Sequence, residues 1–476
     1  MLLKGVFLVV LILISFWVQP FAFIAMVFVC AFTILERNER SLMYIFFLHG
    51  FKQYLSFHIQ LWSLISIGDV IYVFIMFFVL AQYIVSVIKK ERKLFIWSFA
   101  LLIAFFVYTL IPFGKVSFLV SQQHFLILLL ILVYALYMKS LSLRDLTIMY
   151  SVGLILTCGL GLIADLVQRI DFTKYSAYNV TRFFGLVSNP NVVYMLVLPA
   201  ILSLMYLFIN KKIGWQFYPL FIAVSVIGFL AVSRFFILVY PIVFVAFAIF
   251  CGFKQKKKGL ISVGCVLVAL CCFAAIFYPY TEASLERIGI ISVPDGQQSQ
   301  LSLVVLDLDF EFDPGRSGLW KYAYEDWTTS AKTIIFGNGL AAQTPYLCEH
   351  NFYLFILRRT GIVGFVLLMA FFVSLYYYAN GKKWKKGLGF SLVFLAVLIA
   401  NLVVEQLINQ YLFAIYATIF LFVFTDEQPQ RRNKFSESEI KTAVELISNE
   451  NDKKKADYST FSYSLRMNPA KPFIEM

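Results

Sequence analysis

Residues 235–278 read FFILVYPIVFVAFAIFCGFKQKKKGLISVGCVLVALCCFAAIFY. An apolar run on either side of Lys254-Gln255-Lys256-Lys257-Lys258 is long enough to cross the hydrocarbon core of a bilayer, which needs roughly 20 residues. The basic cluster between the runs marks one face of the membrane, because Lys and Arg are retained on the cytoplasmic side. The same grammar extends in both directions. The span near 216–232 joins that of 235–252 through a tight outer hairpin with Ser233-Arg234 at its tip. The span near 259–278 leads outward into the one long polar segment.

Composition agrees with this reading. The chain has 476 residues, 61% hydrophobic and 14% charged, and its mean hydropathy is +0.81. Soluble domains carry about 25% charged residues, so a large water-soluble fold is excluded. The net charge of +13 is read as topology and not as a nucleic-acid footprint, since the basic residues cluster between apolar spans. Six of the seven cysteines fall in or at the ends of spans and only Cys348 lies in the outer loop, so no loop disulfide is implied. No Cys/His spacing suggests zinc, and no metal site or cofactor is expected. The N-terminus resembles a signal peptide without a cleavage site and is read as a retained anchor.

Counting from Lys4, held inside, spans end at Glu36-Arg37-Asn38-Glu39-Arg40, at Lys89-Lys90-Glu91-Arg92-Lys93, at Lys139 and Arg144, and at Lys211-Lys212. The segment 42–62 is interrupted by His49, Lys52 and His58 and is counted as a weak span, because parity demands one more crossing. The expectation is an all-α polytopic protein of about 12–14 transmembrane helices with both termini cytoplasmic. Residues 1–279 form the first part of the bundle and 280–360 an extracytoplasmic loop with short helices. Residues 361–425 carry the last three spans, and 426–476 form a mostly disordered charged tail. A multi-pass position in a membrane follows.

Within the loop, Glu282 to Ile291 suggests a helix, and residues 306–313 alternate apolar and acidic as a strand with one wet face does. Those carboxylates suit a solvated face better than a cation site. A helix is expected from Arg316, carrying Trp320, Tyr324 and Trp327 at helical spacing. Ile334 to Gly339 reads as a glycine-hinged turn, followed by Glu349-His350-Asn351 and by Arg358-Arg359 at headgroup level. His350, one of four histidines, is the natural general base at this surface, weighed against a capping role. Arg182, Arg234 and Arg316 lie outside, against the charge rule. Snorkelling to headgroups is the plain explanation. The functional one is a diphosphate clamp, since Arg binds phosphate oxygens bidentately at any relevant pH.

Four ordered segments resemble the bacterial O-antigen ligase and polymerase superfamily. They are Arg182 to Asn191, Ser233-Arg234, Gly315-Arg316 with Trp320, and Gly337-Asn338-Gly339 with His350-Asn351-Phe352-Tyr353-Leu354 and Arg359 to Gly364. The resemblance covers about residues 180–380; the acidic 307–313 stretch departs from it. It implies metal-independent glycan transfer, outside the cytoplasm, from a polyprenyl-diphosphate-linked oligosaccharide to a sugar hydroxyl. Arg234 and Arg316 would grip the diphosphate and His350 would activate the acceptor. Arg182, Asn191, Trp320, Tyr324, Glu349, Asn351 and Arg358 would line the substrate site. Polymerisation of O-antigen, capsule or exopolysaccharide repeat units is the first reading, and ligation of polymer to a lipid or surface acceptor the second. Donor, glycan or lipid acceptor, membrane lipid, a flippase and a chain-length regulator are the expected partners. From a different class, a polysaccharide flippase or transporter fits the many spans, but not the large outer loop or the missing internal repeat.

Overall fold

The computed structural model describes residues 2–15, 18–36, 41–58, 142–166, 190–231, 234–276, 314–338 and 351–380, two short hairpins within 60–66 and 174–183, and scattered residues at 67–108 and 278. The chain divides into two units, Met1–Asp426 and Glu427–Met476, and the second lies outside the described residues, as do the helix expected at 282–291, the acidic strand, and the spans near 122–138, 389–405 and 411–425.

The described part is overwhelmingly helical. In chain order it contains α1 (Leu2–Ser15), α2 (Pro20–Glu36), α3 (Leu42–His58), α4 (Leu143–Leu166), α5 (Pro190–Ile209), α6 (Phe217–Leu230), α7 (Arg234–Ile276), α8 (Pro314–Thr328), α9 (Ala331–Phe336) and α10 (Phe352–Asn380). The all-α expectation needs one amendment. Antiparallel pairs β1 (Gln60–Trp62) with β2 (Ile65–Ser66) and β3 (Lys174–Ala177) with β4 (Val180–Phe183) close two of the connections. Pro190, Pro20 and Pro314 each open a helix, where the missing N–H is no loss and the fixed φ helps.

Among the described residues, three helices are long and apolar enough to cross a membrane: Leu143–Gly161, Val239–Ile276 and Tyr353–Phe371. The second, at 38 residues, would be about 57 Å long if straight, nearly twice the hydrocarbon thickness. It is not straight. Lys256 has φ 55° and ψ −139°, and a Cβ on Gly259 would sit 2.8 Å from both the Cys251 carbonyl oxygen and the Gln255 Cβ. In a continuous helix residues 251 and 259 are about 12 Å apart, so the chain folds back within the basic cluster. Contacts on either side agree: Phe217 packs on Phe247 (5.9 Å between centroids), while Tyr218 donates to Ser262 Oγ at 2.7 Å.

The core lies where α3 meets α4. Residues Leu42–Phe51 are all buried, and Gly153 of α4 lies beneath the Phe47 carbonyl so closely that any Cβ would overlap it. Gly50 approaches Thr157 just as closely. Small residues at such crossings let helix backbones touch where no hydrophobic force drives association. The ambiguous 42–62 segment is therefore a helix, Leu42–His58, whose Leu42–Phe51 part is enclosed by protein with His49 inside it, and which is followed by the β1–β2 hairpin. A second focus of packing is aromatic, with Phe208 stacked on Phe217 at 4.2 Å and Phe217 on Phe221 at 4.9 Å.

Several polar contacts join segments expected on one membrane face. Lys4 pairs with Glu36 at 2.8 Å, which makes α1 and α2 antiparallel. Arg144 donates to Gln216 (3.1 Å) and Lys254 to Asn210 (2.8 Å). At the end of α5, Lys211 adopts φ 57° so that Lys211 N–H reaches the Phe208 carbonyl and Lys212 N–H that of Leu207, the Schellman closure usually built on Gly.

Two stability outcomes follow. Gly153→Val forces α3 and α4 apart and should destabilise the detergent-solubilised protein by about 3 kcal/mol, read as a lowered thermal midpoint. Lys256→Gly relieves a left-handed backbone and should raise stability by about 1 kcal/mol in the same assay.

Candidate functional site

The segments α8, α9 and α10 form one junction, built outward from two glycines. Ser330 caps α9 with a reciprocal box: its hydroxyl accepts from Thr333 N–H, and Thr333 Oγ1 accepts from Ser330 N–H. The helix ends at Gly337, with φ 75° and ψ 178°. Gly361 interrupts α10 with φ 62° and ψ −171°. Both conformations belong to the region that only glycine enters readily. They also face each other. A Cβ on Gly337 would lie 2.6 Å from the Gly361 nitrogen and overlap the Arg359 carbonyl, and one on Gly361 would lie 2.6 Å from the Gly337 nitrogen and overlap that of Ile335.

Hydrogen bonds complete the joint. Asn338 N–H donates to the Arg358 carbonyl at 2.8 Å. The Asn338 side-chain amide donates to Asp326 Oδ2 at 2.8 Å, and Arg358 Nε donates to the same oxygen at 2.5 Å. The Arg358 guanidinium also lies over the Tyr322 ring at 5.2 Å. Tyr108, from a distant part of the chain, donates to the carbonyls of Phe336 and Thr360, both at 2.8 Å. These bonds satisfy carbonyls that the helix end at Gly337 and the kink at Gly361 leave without an intrahelical partner. Asn351 caps α10, its Oδ1 accepting from Tyr353 N–H (3.0 Å) and Leu354 N–H (3.1 Å).

The expected site residues distribute unevenly over this frame. Arg316 and Trp320 stand on α8, one turn apart, and Trp320 is half-buried. Tyr324 is 55% exposed on the same helix and meets Trp327 edge-on at 6.1 Å between centroids. Asn351 and Arg358 stand on the first half of α10. Arg182 is on β4, in register with Tyr175; Asn191 is the second residue of α5 and Arg234 the first of α7. His350 and Glu349 lie outside the described residues, immediately before Asn351.

The Arg358 side chain is 2% exposed and ion-paired to Asp326, and the Asn351 side-chain oxygen caps α10. Asp326, Asn338 as a bridging side chain, and Tyr108 were not singled out as site residues. Asp326 carried no linear signal, since its partner is 32 residues away. No group of His, Cys, Asp and Glu suited to a metal ion occurs among the described residues.

No family model, no curated protein and no solved structure matches this chain. Among the described residues the fold is helical, with three helices long and apolar enough to cross a membrane and a polar, glycine-hinged joint within one of them.

Gly361→Ala should destabilise this joint by about 3 kcal/mol, from the left-handed backbone and the overlap with Ile335 together. Thermal unfolding in detergent checks it, with Gly264→Ala, where a Cβ would meet nothing within 4 Å, as the comparison.

Proposed function

We propose that this protein transfers a glycan from a polyprenyl-diphosphate-linked oligosaccharide to an acceptor sugar hydroxyl on the outer face of a bacterial cytoplasmic membrane. The observation that carries the reading is the convergence of two separate resemblance segments. Gly315-Arg316…Trp320 rides on α8, while Gly337-Asn338 and Asn351 to Gly361 form α9's cap and the first half of α10. They are 15 residues or more apart in sequence, and the Asp326–Arg358 pair and the Asn338 bridge join the helices that carry them.

In this reading the acceptor oxygen attacks the anomeric carbon of the donor. The bond from that carbon to the diphosphate oxygen breaks, and the hydroxyl proton passes to His350. Arg316 and Arg234 stabilise the charge that grows on the departing diphosphate. No residue here supplies energy to the step; the donor bond does, which suits a compartment without nucleotide sugars. Polymerisation is the first assignment, with ligation the alternative. The orientation follows from charge: the clusters at Lys211-Lys212 and Lys254–Lys258 meet at one end of α5 and α7, where the charge rule places the cytoplasm.

Arg316→Ala and His350→Ala should each abolish surface polysaccharide while membrane levels of the protein stay normal. Wild-type polymer from both variants would sink the mechanism. The glycan profile of a deletion strain separates the two assignments: single repeat units mark loss of a polymerase, and long carrier-linked polymer marks loss of a ligase.

A further inference from the structure

One oxygen, Asp326 Oδ2, receives two donors from two different elements: the guanidinium of Arg358 on α10 and the amide of Asn338 just after α9. The Asp326 carbonyl also accepts from the Asn338 amide, at 3.3 Å. The carboxylate is 31% exposed while its arginine is 2% exposed. A cation so enclosed is costly to leave unpaired, so Arg358 holds Asp326, and through it the C-terminal end of α8, against the first half of α10. The paired glycines bring the backbones close enough for this, and the Tyr108 hydroxyl spans both of their helix ends.

The joint sits between two free ends. Arg316 lies ten residues before Asp326 on α8, about 15 Å along the helix. Asn351 lies seven residues before Arg358 on α10, about 10 Å along it, and His350 directly precedes Asn351. Arg316 and Asn351 thus stand on two helices whose joint is one carboxylate.

We propose that Asp326 is a positioning residue: acting through Arg358 and Asn338, it locks α8 to α10 and so sets the spacing between Arg316 and the capped start of α10 at Asn351. This rests on the proposed glycan transfer. Catalytic groups displaced by about 1 Å lose on the order of a hundredfold in rate, so a joint of this kind acts on turnover more than on donor binding.

The test uses the full-length protein in liposomes, with lipid-linked oligosaccharide extracted from a deletion strain as donor. Asp326→Asn keeps the shape and removes the charge. Its kcat should fall by about a hundredfold, with KM for the donor within about twofold and membrane levels unchanged. Amide hydrogen exchange across residues 331–338 and 352–360 should accelerate, because the Asn338 side-chain amide and the Arg358 guanidinium lose the carboxylate that ties α8 to them. The double variant Asp326→Asn/Arg358→Gln replaces the ion pair with a neutral one and should recover turnover relative to Asp326→Asn alone. A purely structural brace would show faster exchange with unchanged kcat, and that result overturns the positioning role while leaving the transferase reading intact. Unchanged exchange in Asp326→Asn overturns the lock itself. A wild-type protein that transfers no glycan overturns the functional reading and, with it, the role of Asp326.

Discussion

A chain surrounded by hydrocarbon has no water to satisfy its amides, so every backbone donor and acceptor must be paired within the protein. The long helices of this molecule answer that constraint directly. Its irregular points are more informative, because each needs a specific remedy. At Lys211 the remedy is a left-handed residue that redirects two N–H groups onto α5. At Lys256 it is a reversal inside a basic cluster. At Gly337 and Gly361 it is mutual: two interrupted helices face each other, and Tyr108 and Asn338 take the carbonyls left over.

Close packing follows from the same constraint. Between apolar helices in an apolar solvent, association depends on contact and not on water exclusion. Gly153 under the Phe47 carbonyl and Gly50 against Thr157 let α3 and α4 approach to backbone contact. This explains why an apolar segment interrupted by His49 can form an interior helix. Its Leu42–Phe51 portion is sheathed by protein and never tested against lipid.

The α8–α10 junction is polar where the rest of the bundle is apolar. An enclosed arginine, a carboxylate and an amide form a closed set, and such a set gives geometric definition more than stability. That property is of little use in a lipid-facing helix and of great use where two loop elements must hold reactive groups at a fixed distance. The functional proposal and the positioning role of Asp326 both draw on this.

Much of the architecture was legible in the residues themselves. Apolar length and basic clusters located α1, α2 and α4 to α7 within a few residues, because burial in lipid imposes a coarse, strictly local pattern. The helix from Pro314 and the turn at Gly337 were legible from helical spacing and from glycine chemistry. The reversal at Lys256 was legible as well, since two runs flanking five polar residues cannot form one crossing. Other features were decided only by tertiary structure. The β1–β2 and β3–β4 hairpins carry too short a pattern to announce themselves. The Asp326–Arg358 pair was not legible because its members lie on different helices and no periodicity connects them. The Asn351 cap depends on where α10 starts. Local sequence sets which segments become helices, through solvent and backbone pairing; the pairing of charges between helices depends on a close approach that Gly337 and Gly361 permit and that exists only once the chain has folded.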